Sequence, residues 1–437
     1  MRHFKTLSLA ACLALPASMA AAEPLTIEWW HGNGGSIGRS LQVLVDDFNA
    51  AQDEYFVSAI YKGSYTETLT AAIAAYRAGQ NTHPSIVQVF DAGTATMMAA
   101  GGAIYPVHEL FADTGVEFDQ SKYIPAVLAY YSTAEGELLS MPFNSSTPVF
   151  YWNKEMFKKA GLDPETPPKT WPEVAEMGRK LVESGAPCGF TPQWQTWALI
   201  ENQAAWHNVP FAKDENGFKN PNAELLINAP FFVNHVQAFA DWSKDKIFVY
   251  GGREGKSTEL FSAGTCGMHL ASSGSAGGIR AALGKDVAGI TMMPYWPEVV
   301  DKPQNSFIGG ATNWVLKGKT DEEYEAVATF FSYLGLPETQ AKWHQLTGYV
   351  PITIEAGELT RAAGFYDENP GLDIAAKQLL LNPPTPNSRG VRLGNFPQVR
   401  DIVDEELEAV WSGTKTAQQA LDDAVERGNR LIARFKP

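Results

Sequence analysis

Hydrophobic positions along the chain switch repeatedly between two periods. "LTIEWW" (25–30) reads as a buried strand, and the glycine-rich turn "HGNGGSIG" follows it. Leu41, Leu44, Val45 and Phe48 then recur at i, i+3, i+4 and i+7, the stripe of an amphipathic helix. "YFVSAIY" (55–61) alternates as a strand does, Leu69, Ala72, Ile73 and Tyr76 mark a second helix, and "SIVQVF" (85–90) is another strand. This β-α-β-α-β succession predicts an α/β domain with a mainly parallel sheet. The pattern continues through "PVFYW" (148–152), a helix near 171–183 and an "IFVY" strand (247–250). The last hundred residues read as mostly helical, and Thr416 with Gln419 forms a capping box ahead of the stripe Ala420, Leu421, Ala424, Val425. No repeat, low-complexity tract or linker interrupts the chain. Two α/β lobes whose chain crosses back and forth between them are expected.

The first residues change the picture of where the chain works. Arg2 and Lys5, the apolar run Leu7 to Leu15 and the small residues Ala20-Ala21-Ala22 form the three parts of a secretory signal peptide, expected over 1–22. The alternative, lipidation at Cys12 after "LAA", leaves too short an apolar region behind Lys5. No later stretch has the 18 or so uncharged apolar residues of a membrane helix. With 437 residues and a formal charge of −15, the chain is long enough for two domains and too acidic to favour nucleic acid or anionic membranes as partners. Beyond the signal, Cys188 and Cys266 remain. In an oxidising compartment they form a disulfide or stay as two buried thiols, and both readings stand.

Enzyme motifs fail on their own requirements. "GGSIG" (34–38) matches a nucleophile elbow around Ser36, but only one strand precedes it and no histidine partner can be placed. "GGREGKST" (251–258) has Tyr250 where a phosphate loop requires glycine, and it reads instead as a turn into a helix at Ser257 or Thr258. The histidines show no H-x-x-x-H spacing, and no GxGxxG follows the first strand. No cofactor and no metal are expected, and no enzyme activity. Polar, aromatic and glycine clusters at strand ends remain: "YKGSY", "FDAGTAT", "PFNSSTP", "LASSGS", "IGGATNW", "GYVPIT" and the uncharged "TPQWQTW". In open α/β sheets ligands sit on such loops. Ser and Gly there can hold an anion, and Tyr and Trp offer faces for a polyol.

The stretch "YWNKEMFKKAGLDPETPPKTWPEV" (151–174) resembles a signature of the extracellular solute-binding proteins of ABC importers, the maltose-binding-like family. "YKGSYTETL", "GTATMMA", "PFNSSTPV", "WHQLTGYVPIT", "RLGNFPQVR" and "VDEELEAVW" narrow the likeness to its glycerol-3-phosphate-binding branch, over essentially the whole exported chain. The resemblance implies an α/β, two-lobed type II periplasmic-binding-protein fold with hinge crossovers and a helical C-terminal region. Lobe 1 is expected over 23–145 plus 310–348, and lobe 2 over 146–309 plus 349–437. It implies a periplasmic monomer that carries sn-glycerol 3-phosphate, or a glycerophosphodiester such as glycerophosphocholine, to membrane ABC permease subunits with their ATPase. A general sugar or polyol receptor is the alternative of the same kind, and a periplasmic glycerophosphodiester hydrolase that of another.

Carried over by motif, the implied ligand contacts are Tyr65, Asp91, Ser146, Trp194, Trp197, Ser272, Gly310, Tyr349 and Arg400. Asp91 stands where the family has glutamate, one methylene longer. Arg400 would meet the phosphate, the serines and the Gly310 N–H would surround it, and the tryptophans would pack on the glycerol skeleton. Several have a plainer reading: Arg400 paired with Asp401 or Asp404 and replaced by Arg392, Ser272 as a helix cap, Tyr349 and the tryptophans as core, Gly310 present for its φ freedom.

Overall fold

The computed structural model describes residues 23–79 and 82–436, so the expected signal peptide lies outside the described residues. Among these, ten strands form two sheets. The first begins with β1 (Leu25–His31), β2 (Tyr55–Tyr61), β3 (Ile86–Phe90), β4 (Ile104–Tyr105) and β5 (Met141–Ser146). The second holds β6 (Pro148–Asn153), β7 (Cys188–Pro192), β8 (Cys266–Ser272) and β9 (Ala288–Thr291), after which β10 (Gly309–Leu316) returns to the first. Strand order is β2-β1-β3-β10-β4 with β5 also on β10, and β7-β8-β6-β9.

The expectation of a mainly parallel sheet is corrected. Only β1–β2, β1–β3 and β7–β8 are parallel, whereas β10 runs against β3, β4 and β5, and β6 runs against β8 and β9. A strand arriving from the other sheet needs no crossover helix, so nothing holds it to the parallel direction. The "IFVY" segment is likewise no regular strand. Phe248 makes a single bridge to Phe190, and the segment lies along the edge of β7.

The helices follow the sequence pattern. Gly35–Ala51 buries Leu41, Leu44, Val45 and Phe48 against the first sheet, in a cluster with Trp29, Phe143, Phe330 and Trp343. Helix Trp171–Glu183 starts from a capping box of Thr170 and Glu173, and Ala417–Ile432 from one of Thr416 and Gln419. Such caps contribute about 1 kcal/mol each. The second cluster centres on Phe150, Trp171, Phe190 and Phe239 and continues into the C-terminal helices through Val399, Leu407 and Leu421. Cys188 and Cys266 face each other in register on β7 and β8, Cα atoms 4.5 Å apart, and are joined as a disulfide.

Two segments cross between the sheets side by side. Thr147, between β5 and β6, donates from Oγ1 to Ser306 Oγ at 2.5 Å, just ahead of β10. Gln378 Nε2 donates to the same Thr147 oxygen at 3.0 Å and to the Pro148 carbonyl at 2.7 Å. The crossings are thus tied together where the two sheets meet.

Candidate functional site

A cleft of about 440 Å³ opens between the sheets. Its lining residues lie at or just after the carboxyl ends of strands: Asn33 after β1, Asp91 after β3, Ser146 ending β5, Gln193 and Trp194 after β7, and Ser272 ending β8. This is where an α/β sheet leaves loop backbone and helix starts free. All nine residues carried over by motif line this one cleft, although their numbers run from 65 to 400.

Three aromatic rings there rest on glycines. A Cβ built on Gly32 would stand 2.7 Å from the Tyr65 ring, one on Gly309 2.4 Å from Trp197, and one on Gly274 2.6 Å from Tyr349. These rings approach backbone so closely that only glycine fits there. Tyr65 also stacks on Phe90 with centroids 5.6 Å apart, and Tyr349 on Trp343 at 5.5 Å. Gly310 has φ +97° at the irregularity between β5 and β10, and a Cβ there would meet the Asn144 carbonyl oxygen. Its φ freedom is therefore required, and it lines the cleft as well.

The two tryptophans differ. Trp194 sits in the loop before a π-helical turn, Thr196–Glu201, with a left-handed φ of 48°. Such a backbone is uncommon for a bulky residue, and here the Trp194 N–H is held by the Glu254 carbonyl at 2.9 Å. Trp194 is half-buried and its ring comes within 6.3 Å of Tyr65 across the cleft. Trp197 is only 5% exposed, and its indole Nε1 is buried without a partner.

Beneath the cleft a chain of hydrogen bonds fixes the Tyr65 hydroxyl. Gly32 N–H donates to Gln88 Oε1 (3.0 Å), Gln88 Nε2 to Asn144 Oδ1 (3.0 Å), and Asn144 Nδ2 to Tyr65 Oη (2.9 Å). Tyr65 Oη in turn donates to Asn33 Oδ1 at 2.8 Å. The chain ends on Asn33 Nδ2, a buried donor with no partner. An unpaired buried donor costs roughly 1–3 kcal/mol, so Asn33 and Trp197 leave two donors to be satisfied beside this cleft. Ser146 Oγ makes no hydrogen bond among the described residues. Ser272 Oγ accepts from Gly274 N at 3.1 Å, which makes it a cap whose own proton stays free. The helix Gly35–Ala51 also starts at the cleft with no side-chain cap and no acid in its first turn. Its exposed N–H groups and dipole favour negative charge.

Arg400 occupies the other end. It pairs neither with Asp401 nor with Asp404. Its Nε and Nη2 form a fork on Glu201, both at 2.7 Å, and Nη2 also reaches Asp91 Oδ2 at 2.5 Å. The three groups come from different parts of the chain and all are nearly fully buried. Burial works against the guanidinium charge, but the two carboxylates outweigh it and hold the Arg400 pKa above its ordinary value. Burial likewise raises Asp91, and it pushes Glu201 up to about 7 despite Arg400. One guanidinium faces two carboxyl groups, so the cluster carries no surplus positive charge.

Residues 43–372 match the pattern of the bacterial extracellular solute-binding proteins. The whole chain is 50% identical to the sn-glycerol-3-phosphate-binding periplasmic protein of Salmonella paratyphi A, covering 98% of that protein. It is 49% identical to that of Escherichia coli K12, over 99% of this chain and 98% of the other. The chain is an extracellular solute-binding protein. Solved structures agree on the fold. Mycobacterium tuberculosis UgpB in complex with glycerophosphocholine gives a TM-score of 0.77 at 21% identity, covering 94% of this chain and 98% of that one. Maltose-bound MalE3 of Thermotoga maritima gives 0.75 at 16% identity, covering 93% and 100%. This solute-binding protein therefore has the maltose-binding-like type II fold, α/β with a helical C-terminal region.

Motif reading missed two residues of its cleft, Asn33 and Gln193, and one buried behind it, Glu201. Asn33 lies in the first strand-end turn, "HGNGGSIG", and the rule that flagged the other clusters covers it. Gln193 accepts from Thr258 Oγ1 (2.7 Å) and Ser275 Oγ (3.1 Å) on its Oε1, and it belongs to the same stretch as the tryptophans. Glu201 is the only charged residue between Glu183 and Lys213. A lone acid in a long apolar stretch is the sequence signal for a buried, paired carboxylate.

Proposed function

We propose that the protein captures sn-glycerol 3-phosphate, or a glycerophosphodiester such as glycerophosphocholine, in this cleft in the periplasm. It then delivers the ligand, as a monomer, to an ABC permease with its ATPase. The observation that carries the reading is the convergence of all nine motif-matched residues on one cleft in a chain 50% identical to such receptors. The lobes are 23–145 plus 310–348 and 146–309 plus 349–437, and they close about the crossings near Thr147 and Ser306 by a hinge motion.

The electrostatics favour a particular orientation. A phosphate next to Arg400 would also face Asp91 and Glu201. It is better held by uncharged donors, with Ser146, Ser272, the Gly310 N–H and the Tyr349 hydroxyl around it, and Asn33 Nδ2 and the open helix start at Gly35 nearby. The glycerol hydroxyls then meet Asp91 and Arg400, and Trp194 covers the carbon skeleton. Asp91 reaches Arg400 despite its missing methylene, which supports a role for this pair in place of the family's glutamate. Among the described residues no histidine is hydrogen-bonded to the Ser36 hydroxyl.

Titration calorimetry with glycerol 3-phosphate, glycerophosphocholine, glycerol and maltose tests the reading. The two phosphates should bind, glycerol and maltose at least a hundredfold more weakly, and Trp194→Ala should weaken the phosphates about tenfold. Equal affinity for glycerol or maltose would make it a polyol or sugar receptor. Steady release of choline from glycerophosphocholine, abolished by Ser36→Ala, would make it a hydrolase.

A further inference from the structure

Arg392, eight residues before Arg400 in the same sequence block, does not reach the cleft. It borders a second cavity, of about 620 Å³, that shares no lining residue with the first. The cavity is open to both halves of the molecule: Leu128 and Thr133 come from one side, Phe218, Phe307 and Leu379 from the other. Its lining joins the apolar Leu128, Phe307 and Leu379 to the polar Ser132, Asn305 and Ser388. Arg389 and Arg392 stand at its wall with their guanidinium groups over the Phe218 ring, at 4.2 and 4.4 Å.

The two arginines are not equivalent. Arg389 is paired with Glu215 at 2.6 Å. Arg392 has no carboxylate partner among the described residues. Its Nη2 donates to the carbonyls of Tyr130 (2.5 Å) and Ala129 (3.3 Å), at the end of the short helix Pro125–Tyr130, and its Nε is buried without any partner. Capping that helix accounts for the two carbonyl bonds. It accounts neither for a half-buried charge without a carboxylate nor for the idle buried Nε, and an unpaired buried donor is costly. A cavity of this size, with apolar and polar lining and a cationic group, matches a small-molecule site.

We propose that this cavity is a second binding site, for an organic anion with a short alkyl chain. Its carboxylate or phosphate pairs with Arg392, and its chain lies on the Leu128–Phe307–Leu379 floor. The site is independent of the glycerol 3-phosphate reading, since the two cavities share no residue.

Calorimetric titration of the intact protein with hexanoate, hexyl phosphate and hexanol tests it. At least one of the two anions should bind at one equivalent, with hexanol at least tenfold weaker, and the preferred anion tells a carboxylate site from a phosphate site. Arg392→Gln should weaken the anion at least tenfold, and Trp194→Ala should leave it unchanged. Because Arg392→Gln also removes a helix cap, Leu379→Trp serves as the second variant, filling the floor while the guanidinium stays; it should abolish binding. Absence of anion binding, equal binding of hexanol, loss of binding in Trp194→Ala, or persistence in the two cavity variants would each overturn the proposal.

Discussion

Arg400 and Arg392 lie eight residues apart and show what surroundings do to the same side chain. Arg400 is almost fully buried and answered by two carboxylates, one of them in a bidentate fork. Arg392 is less buried and answered only by backbone carbonyls and an aromatic face. The first is a structural tie among three distant segments, and its charge is already spent. The second keeps its charge available. An arginine in a binding-protein motif is therefore not by itself a phosphate ligand; its partners decide.

The largest effect expected from this contrast is that of Arg400→Ala. Removing the one cation leaves Asp91 and Glu201 buried and unanswered, which should cost about 3–5 kcal/mol of stability. Calorimetry should show the affinity for glycerol 3-phosphate falling at least a hundredfold, because the cleft then repels the anion. The triple change Arg400→Met, Asp91→Asn, Glu201→Gln should recover most of the stability in urea titrations, since an ion cluster replaced as a whole costs little. If the single variant is as stable as the parent, the tie is not structural.

Next in size is the contrast between the tryptophans. Trp197→Ala empties a buried position and should cost about 3–5 kcal/mol, whereas Trp194→Ala should cost about 1 kcal/mol and act mainly on affinity. Thermal melts with and without ligand separate the two.

A smaller effect concerns pH. Burial raises Glu201 to about 7 from an ordinary value of 4.5. The folded state then binds a proton that the unfolded chain gives up at lower pH. Stability from this group is present below about pH 4.5 and is lost as pH rises toward 7, by roughly 1–3 kcal/mol. Glu201→Gln should flatten that slope in urea titrations from pH 4.5 to 8. Protonation also makes the cleft less negative, so glycerophosphocholine, whose phosphate does not titrate in this range, should bind several-fold tighter at pH 6 than at pH 8. That gain should vanish in Glu201→Gln. Arg392→Ala comes last, with about 1 kcal/mol expected from the lost helix cap.

The fold was legible where periodicity was strong. β1, β2, β3 and β6 and the helices over 41–48 and 171–183 lie where alternation and helical spacing put them. β10 was not legible as a strand, because "IGGATNW" opens on glycines and alternates poorly, and its antiparallel place depends on a return from the other sheet. In the cleft, strand-end clusters and family motifs pointed to residues that do converge there. The fate of Arg400 was hidden, since its partners stand 309 and 199 positions away. Local reading offered Asp401 and Asp404, and the tertiary fold supplied Asp91 and Glu201.

The glycines beneath Tyr65, Trp197 and Tyr349 give this cleft adjustable walls. Each ring's height is set by a residue that has no side chain of its own. An alanine at position 32, 274 or 309 would push one ring forward by about the thickness of a methyl group and narrow the cavity from that side alone. Receptors for smaller solutes can thus be reached from this chain through its floor, with the aromatic residues themselves left in place.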